Sequence, residues 1–233
     1  MIFVPGYIRT GEAGTMTRQE VRARIEEIGI IPAVRVASAE DALFAAETVF
    51  SGGIGVVEMT TTVPDAVEVI AQLRQNVPGL IIGAGTVMDL RTAHACLNAG
   101  AAFLTSPGLD LEIVRMAEEA DVLVIPGALT PSEITAAYKA GTDFIKVFPC
   151  SLIGGPSYIK ALKAPFAQIA LIASGGVNQQ TAFDFIRSGA AALGIGEELI
   201  PPDAIRRRNS TWIHELTRRF LGMVKDARAL VKH

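Results

Sequence analysis

Residues 144–149 read Phe144-Ile145-Lys146-Val147-Phe148-Pro149, a single lysine in a run otherwise apolar or proline. A strand of this composition is covered on both faces, as in a parallel sheet packed between other layers. Lys146 then loses most of its water, so its ammonium must be paired or must give up its proton. A neutral lysine amine is a nucleophile toward carbonyl carbon. The competing structural reading is a lysine at a strand end that snorkels to solvent.

Similar runs recur on either side of this one. The eight strand candidates are Ile31–Val36, Val56–Thr61, Ile81–Val87, Phe103–Pro107, Leu123–Leu129, Phe144–Pro149, Ala170–Val177 and Ala192–Leu199. Their starts recur about every 20–25 residues, the span of one βα unit in a barrel of roughly 250 residues. Helical patterns follow each of them, over 39–50, 65–75, 89–98, 111–120, 131–139, 158–166, 179–188 and 211–231. Ser38, Thr130 and Asn178 read as N-caps, and Gly52-Gly53, Ala99-Gly100, Ala140-Gly141 and Ser188-Gly189 as stops. Thr17, with Glu20 three residues on, opens one more helix ahead of the first strand. The pattern predicts the α/β class and a (β/α)8 TIM barrel with an N-terminal helix. An open doubly wound sheet is the alternative, but no G-x-G-x-x-G fingerprint follows the first strand.

The expected organisation is a loose extension over residues 1–16 and a single barrel domain over 17–233, with Met16 a candidate natural start. The first fifteen residues lack a basic region followed by a long apolar core, so they do not read as a secretory signal. The chain has 233 residues, 50% of them hydrophobic, and a mean hydropathy of +0.37. Gly, Pro or charge breaks every apolar run well short of the ~18 residues of a membrane span, so this hydrophobicity belongs to a core. A net charge of -3 and a pI near 5.7 argue against a nucleic-acid surface. Cys96 and Cys150 are too few for a disulfide framework, which fits a reducing cytoplasm.

The site of a barrel lies at the C-terminal ends of its strands. There the sequence presents Arg35, Glu58 followed by Thr60, Thr61 and Thr62, then Thr86, Thr105, Ser106 and Lys146. The seventh strand runs into Ser174-Gly175-Gly176 and the eighth into Gly196-Glu197-Glu198. Arg35, Glu58 and Lys146 are each a lone charge in an apolar run, and an uncompensated buried charge costs several kcal/mol. A purely structural ion network of the three is one account of them. The histidines, His94, His214 and His233, fall in predicted helices or the tail, which leaves no cluster for Zn²⁺ and no base for a Ser–His or Cys–His pair. Cys150 then reads as a packing residue.

Amine chemistry on a 2-oxo acid remains. Arg35 can take the carboxylate bidentately, Lys146 can attack the keto carbon, and Glu58 can carry protons through carbinolamine formation and C–C cleavage. The scheme contains a tension, because a carboxylate favours the ammonium whereas burial and a nearby guanidinium favour the free amine.

Six blocks carry a resemblance: Val57-Glu58-Met59-Thr60, Gly83-Ala84-Gly85-Thr86-Val87, Thr105-Ser106-Pro107-Gly108, Ile125-Pro126-Gly127, Phe144 to Pro149, and Ser174-Gly175-Gly176-Val177. In this order, from about Ile30 to Pro201, they resemble the 2-keto-3-deoxy-6-phosphogluconate (KDPG) and 4-hydroxy-2-oxoglutarate (KHG) aldolase family, including its phosphogalactonate branch. The resemblance implies a (β/α)8 barrel, a homotrimer, no metal and no organic cofactor. It implies an aldehyde-lyase of Entner-Doudoroff type with Lys146 as Schiff-base lysine and Glu58 as general acid/base. It also implies that Thr86 and Pro107 line the pyruvate pocket, that Phe148 packs beside the imine, and that Ser174 is the hydroxyl ahead of the double glycine. No nucleic-acid or membrane partner is expected.

The chain departs from that pattern at two places. Gluconate-type members carry a carboxylate-gripping arginine four residues after the glutamate, where this chain has Thr62; the phosphogalactonate branch has one on the first strand, where this chain has Arg35. The carboxylate role therefore moves to Arg35. In the phosphate site, Ser174-Gly175-Gly176 reads as an anion cradle at a helix start, completed in the family by Gly-Ser after strand eight. Here Gly196-Glu197 stands at that place, which suggests an unphosphorylated tail, unless Glu197 turns away to Lys160 or to the run Arg206-Arg207-Arg208. A non-catalytic anion-binding barrel and a sugar-phosphate isomerase-type barrel are the other functions open at this point.

Overall fold

The computed structural model describes residues 16–231. The expected N-terminal extension lies outside the described residues except for Met16, which packs against the inner core. From α1 (Arg18–Ile28), strands and helices alternate: β1 (Ile30–Val34), α2 (Ala39–Ser51), β2 (Val56–Thr60), α3 (Ala66–Asn76), β3 (Ile81–Gly85) and α4 (Leu90–Asn98). Then come β4 (Phe103–Thr105), α5 (Leu111–Glu119), β5 (Leu123–Ile125), β6 (Gly127–Ala128), α6 (Pro131–Lys139) and β7 (Ile145–Val147). The last part comprises α7 (Pro156–Lys163), β8 (Leu171–Ser174), α8 (Ala182–Arg187), β9 (Ala192–Ile195), α9 (Pro202–Arg206) and α10 (Ser210–Val231).

Every strand pairing is parallel, in the order β5-β4-β3-β2-β1-β9-β8-β7-β6. The two ends of that order are neighbours in the chain, so the sheet curls into a barrel that lacks closure only at Pro126. The expected fifth strand, Leu123–Leu129, is therefore two short strands. Proline has no N–H to give a ladder, but its carbonyl accepts from the Lys146 N–H at 2.9 Å. The break sits beside the strand that carries the lysine.

Alternation along each strand divides the core in two. Outward residues such as Val57, Met59, Ile145, Val147, Ala173 and Leu193 pack under the helices in one large cluster. Inward residues Ile31, Val56, Ile81, Phe103, Leu123, Phe144 and Ile172 fill the lower barrel, where Val21 and Ile25 of α1 close the bottom like a plug. The capping box expected from Thr17 and Glu20 starts that helix, and Arg18 ties it to Asp143 and Glu118. Above this layer the inward positions become small or polar. A Cβ on Gly83 would meet the Phe103 ring at 2.2 Å, so the glycine makes room for the largest plug residue.

The arginine run divides rather than forming one face: Arg206 pairs with Asp203, and Arg208 with Glu40 and Asp41 at the start of α2. Asn178 does not cap a helix directly. Its side chain closes a turn onto Gln180 and Thr181, and α8 begins only at Ala182.

Candidate active site

The residues directly above the apolar plug, still inside the barrel, carry the chemistry. On β2 the inward series is Val56, Glu58, Thr60, and at β7 it is Phe144, one residue ahead of the strand, and Lys146. Two-residue periodicity thus lifts one carboxylate and one amine into the same layer. Lys146 Nζ lies 3.3 Å from Glu58 Oε2, with side-chain exposures of 12% and 6%. The lysine does not snorkel out; its charge is met by Glu58, so the contact that balances it is also the path by which its proton can leave.

Two neighbours hold Glu58 in place. Thr105, inward on β4, donates a hydrogen bond of 2.8 Å to the same Oε2. Gly85, inward on β3, leaves the carboxylate its room, since a Cβ there would stand 2.2 Å from Oε1. We expect Thr105→Val, which keeps shape and removes the hydroxyl, to lower kcat about tenfold and to cost roughly 1–2 kcal/mol of stability by leaving a buried acceptor unmet. Thr105→Ser should restore most of both, as read by steady-state kinetics and thermal unfolding. The sequence presents Thr105 at a strand end without a role, although its spacing from Phe103 signals that both face inward.

Arg35 differs from its expected burial. It stands one residue beyond β1 and is exposed at the rim, with Nη2 donating to Thr86 Oγ1 at 3.4 Å. Thr86 has φ of +60°, unusual for a β-branched residue, and its carbonyl accepts from the Thr61 hydroxyl at 2.9 Å. Strain of this kind persists where surrounding contacts over-determine it, and here it aims a hydroxyl at the guanidinium.

A cavity of about 330 Å³ joins most of the expected site residues: Arg35, Glu58, Lys146, Phe148, Ser174, Gly175, Gly176, Gly196 and Glu197. Ala33, Val177, Gly194 and Glu198 line it too and were not foreseen as site residues. Thr86 and Pro107 lie outside that lining; Thr86 borders a neighbouring hollow with Thr61, Asp65 and Asp89. The Phe148 ring centre is 5.7 Å from Lys146 Nζ. Gly194 gives space to Ser174, whose Oγ a Cβ would meet at 2.7 Å. Gly175 and Gly176 are not at a helix start, because α8 begins six residues later and is only six residues long; the expected dipole contribution drops out. Cys150 is fully buried, and burial pushes its thiol up to about 11, so it stays protonated at neutral pH. Among the described residues no group of three or more His, Cys, Asp or Glu side chains converges to hold a metal, and no helix is long and apolar enough to cross a membrane.

A family model, described as KDPG and KHG aldolase, matches residues 21–216. The chain belongs to the KDPG and KHG aldolase family. It is an aldolase, a lyase. The 2-dehydro-3-deoxy-phosphogluconate aldolase of Pseudomonas aeruginosa is 32% identical over 214 residues, covering 90% of this chain and 97% of that protein. The KHG/KDPG aldolase of Escherichia coli K12 is 31% identical, covering 81% and 89%. Among solved structures, KDPG aldolase from Legionella pneumophila superposes with a TM-score of 0.79 at 32% identity, over 84% of this chain and 95% of that one. The family match spans the strands that carry Glu58, Thr105 and Lys146, so the inward layer described above lies within the aldolase portion.

Proposed function

We propose that this aldolase works through a Schiff base, splitting a 2-keto-3-deoxy or 4-hydroxy-2-oxo acid into pyruvate and an aldehyde. The observation that carries this is the buried 3.3 Å contact between Lys146 Nζ and Glu58 Oε2. It is supported by the Legionella relative, whose structure holds pyruvate as a covalent carbinolamine.

Proton transfer from Lys146 to Glu58 frees the amine. Its lone pair adds to the keto carbon C2 to give a carbinolamine, with Arg35 holding the substrate carboxylate at the rim. Loss of water, with the hydroxyl protonated by Glu58, leaves an iminium. The carboxylate of Glu58 then takes the C4 hydroxyl proton, the C3–C4 bond breaks, and its electron pair flows into the iminium to form an enamine while the aldehyde departs. Protonation of C3 and return of water release pyruvate and the amine. Phe148 covers the amine, and the apolar plug below it excludes water from that side. No step needs a metal or an organic cofactor. The reaction is tested by a retro-aldol assay on a panel of 2-keto-3-deoxy acids with coupled pyruvate detection, and by borohydride trapping with pyruvate. Failure of both overturns it.

We also propose a homotrimer. The resemblance supports it; a structural relative with a TM-score of 0.80 and 27% identity, a protein cage designed by fusing symmetric oligomeric domains, supports a symmetric oligomer without giving its order. Light scattering should give about three times the 24.6 kDa of one chain; a mass of one chain refutes it. The cysteines Cys96 and Cys150 are free and buried, which fits the reducing cytoplasm we propose as the compartment.

A further inference from the structure

The far end of the Lys146 cavity bears on the substrate, on the reading above that a 2-oxo acid is held there as an imine. Its lining contributes the cations Arg35 and Lys146 and the anions Glu58, Glu197 and Glu198. Lys146 and Glu58 engage each other, and Arg35 is taken by the substrate carboxylate. What is left for the tail is a pair of carboxylates. Among the described residues no Lys or Arg lies within ion-pair distance of Glu197 or Glu198; Arg206 and Arg208, the cations that could have drawn Glu197 away, are engaged by Asp203 and by Glu40 and Asp41. Lys160 is exposed and makes no ion pair either.

The same cavity wall holds Gly175 and Gly176, with φ of +87° and +83°. A Cβ would collide with Pro149 at 2.8 Å in one case and Ser151 Cβ at 2.6 Å in the other, so only glycine fits at either place. Their peptide N–H groups donate to no turn or loop carbonyl of the described residues. The tail thus meets hydrogen-bond donors from the glycine turn and acceptors from the glutamates, and the cavity lining offers it no cation besides Arg35 and Lys146.

We propose that the substrate is a 2-keto-3-deoxy acid whose tail ends in free hydroxyl groups, not in a phosphate or a second carboxylate. A hydroxyl accepts from a glycine N–H and donates to a glutamate at once. A phosphate dianion can only accept, and one carboxylate about 5 Å away costs it roughly tenfold in affinity even at the dielectric of water. Glu197 and Glu198 are both solvent-exposed, so the factor stays near its value in water.

The test compares kcat/KM for pyruvate release from a 2-keto-3-deoxyhexonate and its 6-phosphate, each as both C4 epimers, with the full chain and with Glu197→Gln and Glu198→Gln. The unphosphorylated acid should lead by about tenfold or more, and Glu197→Gln should shift the ratio toward the phosphate by a similar factor. A wild-type preference for the phosphate, or a ratio that neither substitution moves, overturns the inference and leaves the aldolase mechanism standing. Pyruvate from neither acid, with no borohydride-trapped pyruvate, overturns both.

Discussion

Lys146→Ala is expected to lower kcat for pyruvate release by about 10⁴-fold or more, because the covalent route disappears rather than weakens. With pyruvate present, borohydride should add one covalent adduct to the wild type, localised to Lys146 by peptide mass, and none to the variant. Lys146→Ala also leaves Glu58, with a side chain only 6% exposed, without its cation, and such a loss costs about 3–5 kcal/mol. A dead variant could therefore be an unfolded one. Lys146→Arg separates the two cases: it keeps a cation beside Glu58 but has no amine that forms an imine. It should remain folded by circular dichroism, take no adduct, and be as inactive as the alanine variant. Turnover by Lys146→Arg within tenfold of wild type sinks the Schiff-base mechanism.

Glu58→Gln should lower kcat by about 10²- to 10⁴-fold, the usual worth of a positioned acid/base. The amide is the same size and can keep the 2.8 Å bond from Thr105, but Lys146 loses its counter-ion at a similar cost, so circular dichroism should accompany the kinetics to show that the variant is folded. The loss should fall on each proton transfer, so exchange of the pyruvate methyl protons in D₂O, followed by NMR, should slow in parallel with kcat. On the proposal that Arg35 holds the substrate carboxylate, KM should change far less than kcat. A Glu58→Gln enzyme with kcat within threefold of wild type would show that the carboxylate is only a counter-ion for the lysine.

The barrel was legible because its signal is local and repeated. Runs such as Val56–Thr60 and Ile81–Gly85 are buried on both faces, and each is followed at a regular interval by a helix. The division of the fifth strand is not legible, because Pro126 reads as one interruption in an apolar run, whereas its missing N–H ends one ladder and starts another. The glycine turn at 175–176 was placed at a helix start because Asn178 has the residue type of an N-cap, but its side chain is spent on a turn. Arg35 reads as a buried charge in its apolar run, yet one residue beyond β1 the chain is already at the rim. In each case the residue type was informative, and its distance from the nearest element end decided its role.

Sequence by itself determined that this chain is a parallel barrel with a lysine and a glutamate in apolar strands, since periodicity and burial are properties of short segments. Only the tertiary structure decided that Lys146 and Glu58, 88 residues apart, share one contact, that Thr105 joins it, and that Glu197 lines the same cavity. Those facts depend on the register between strands distant in the chain and on which side chains the glycines Gly85 and Gly194 leave room for, and neither is written in any one stretch.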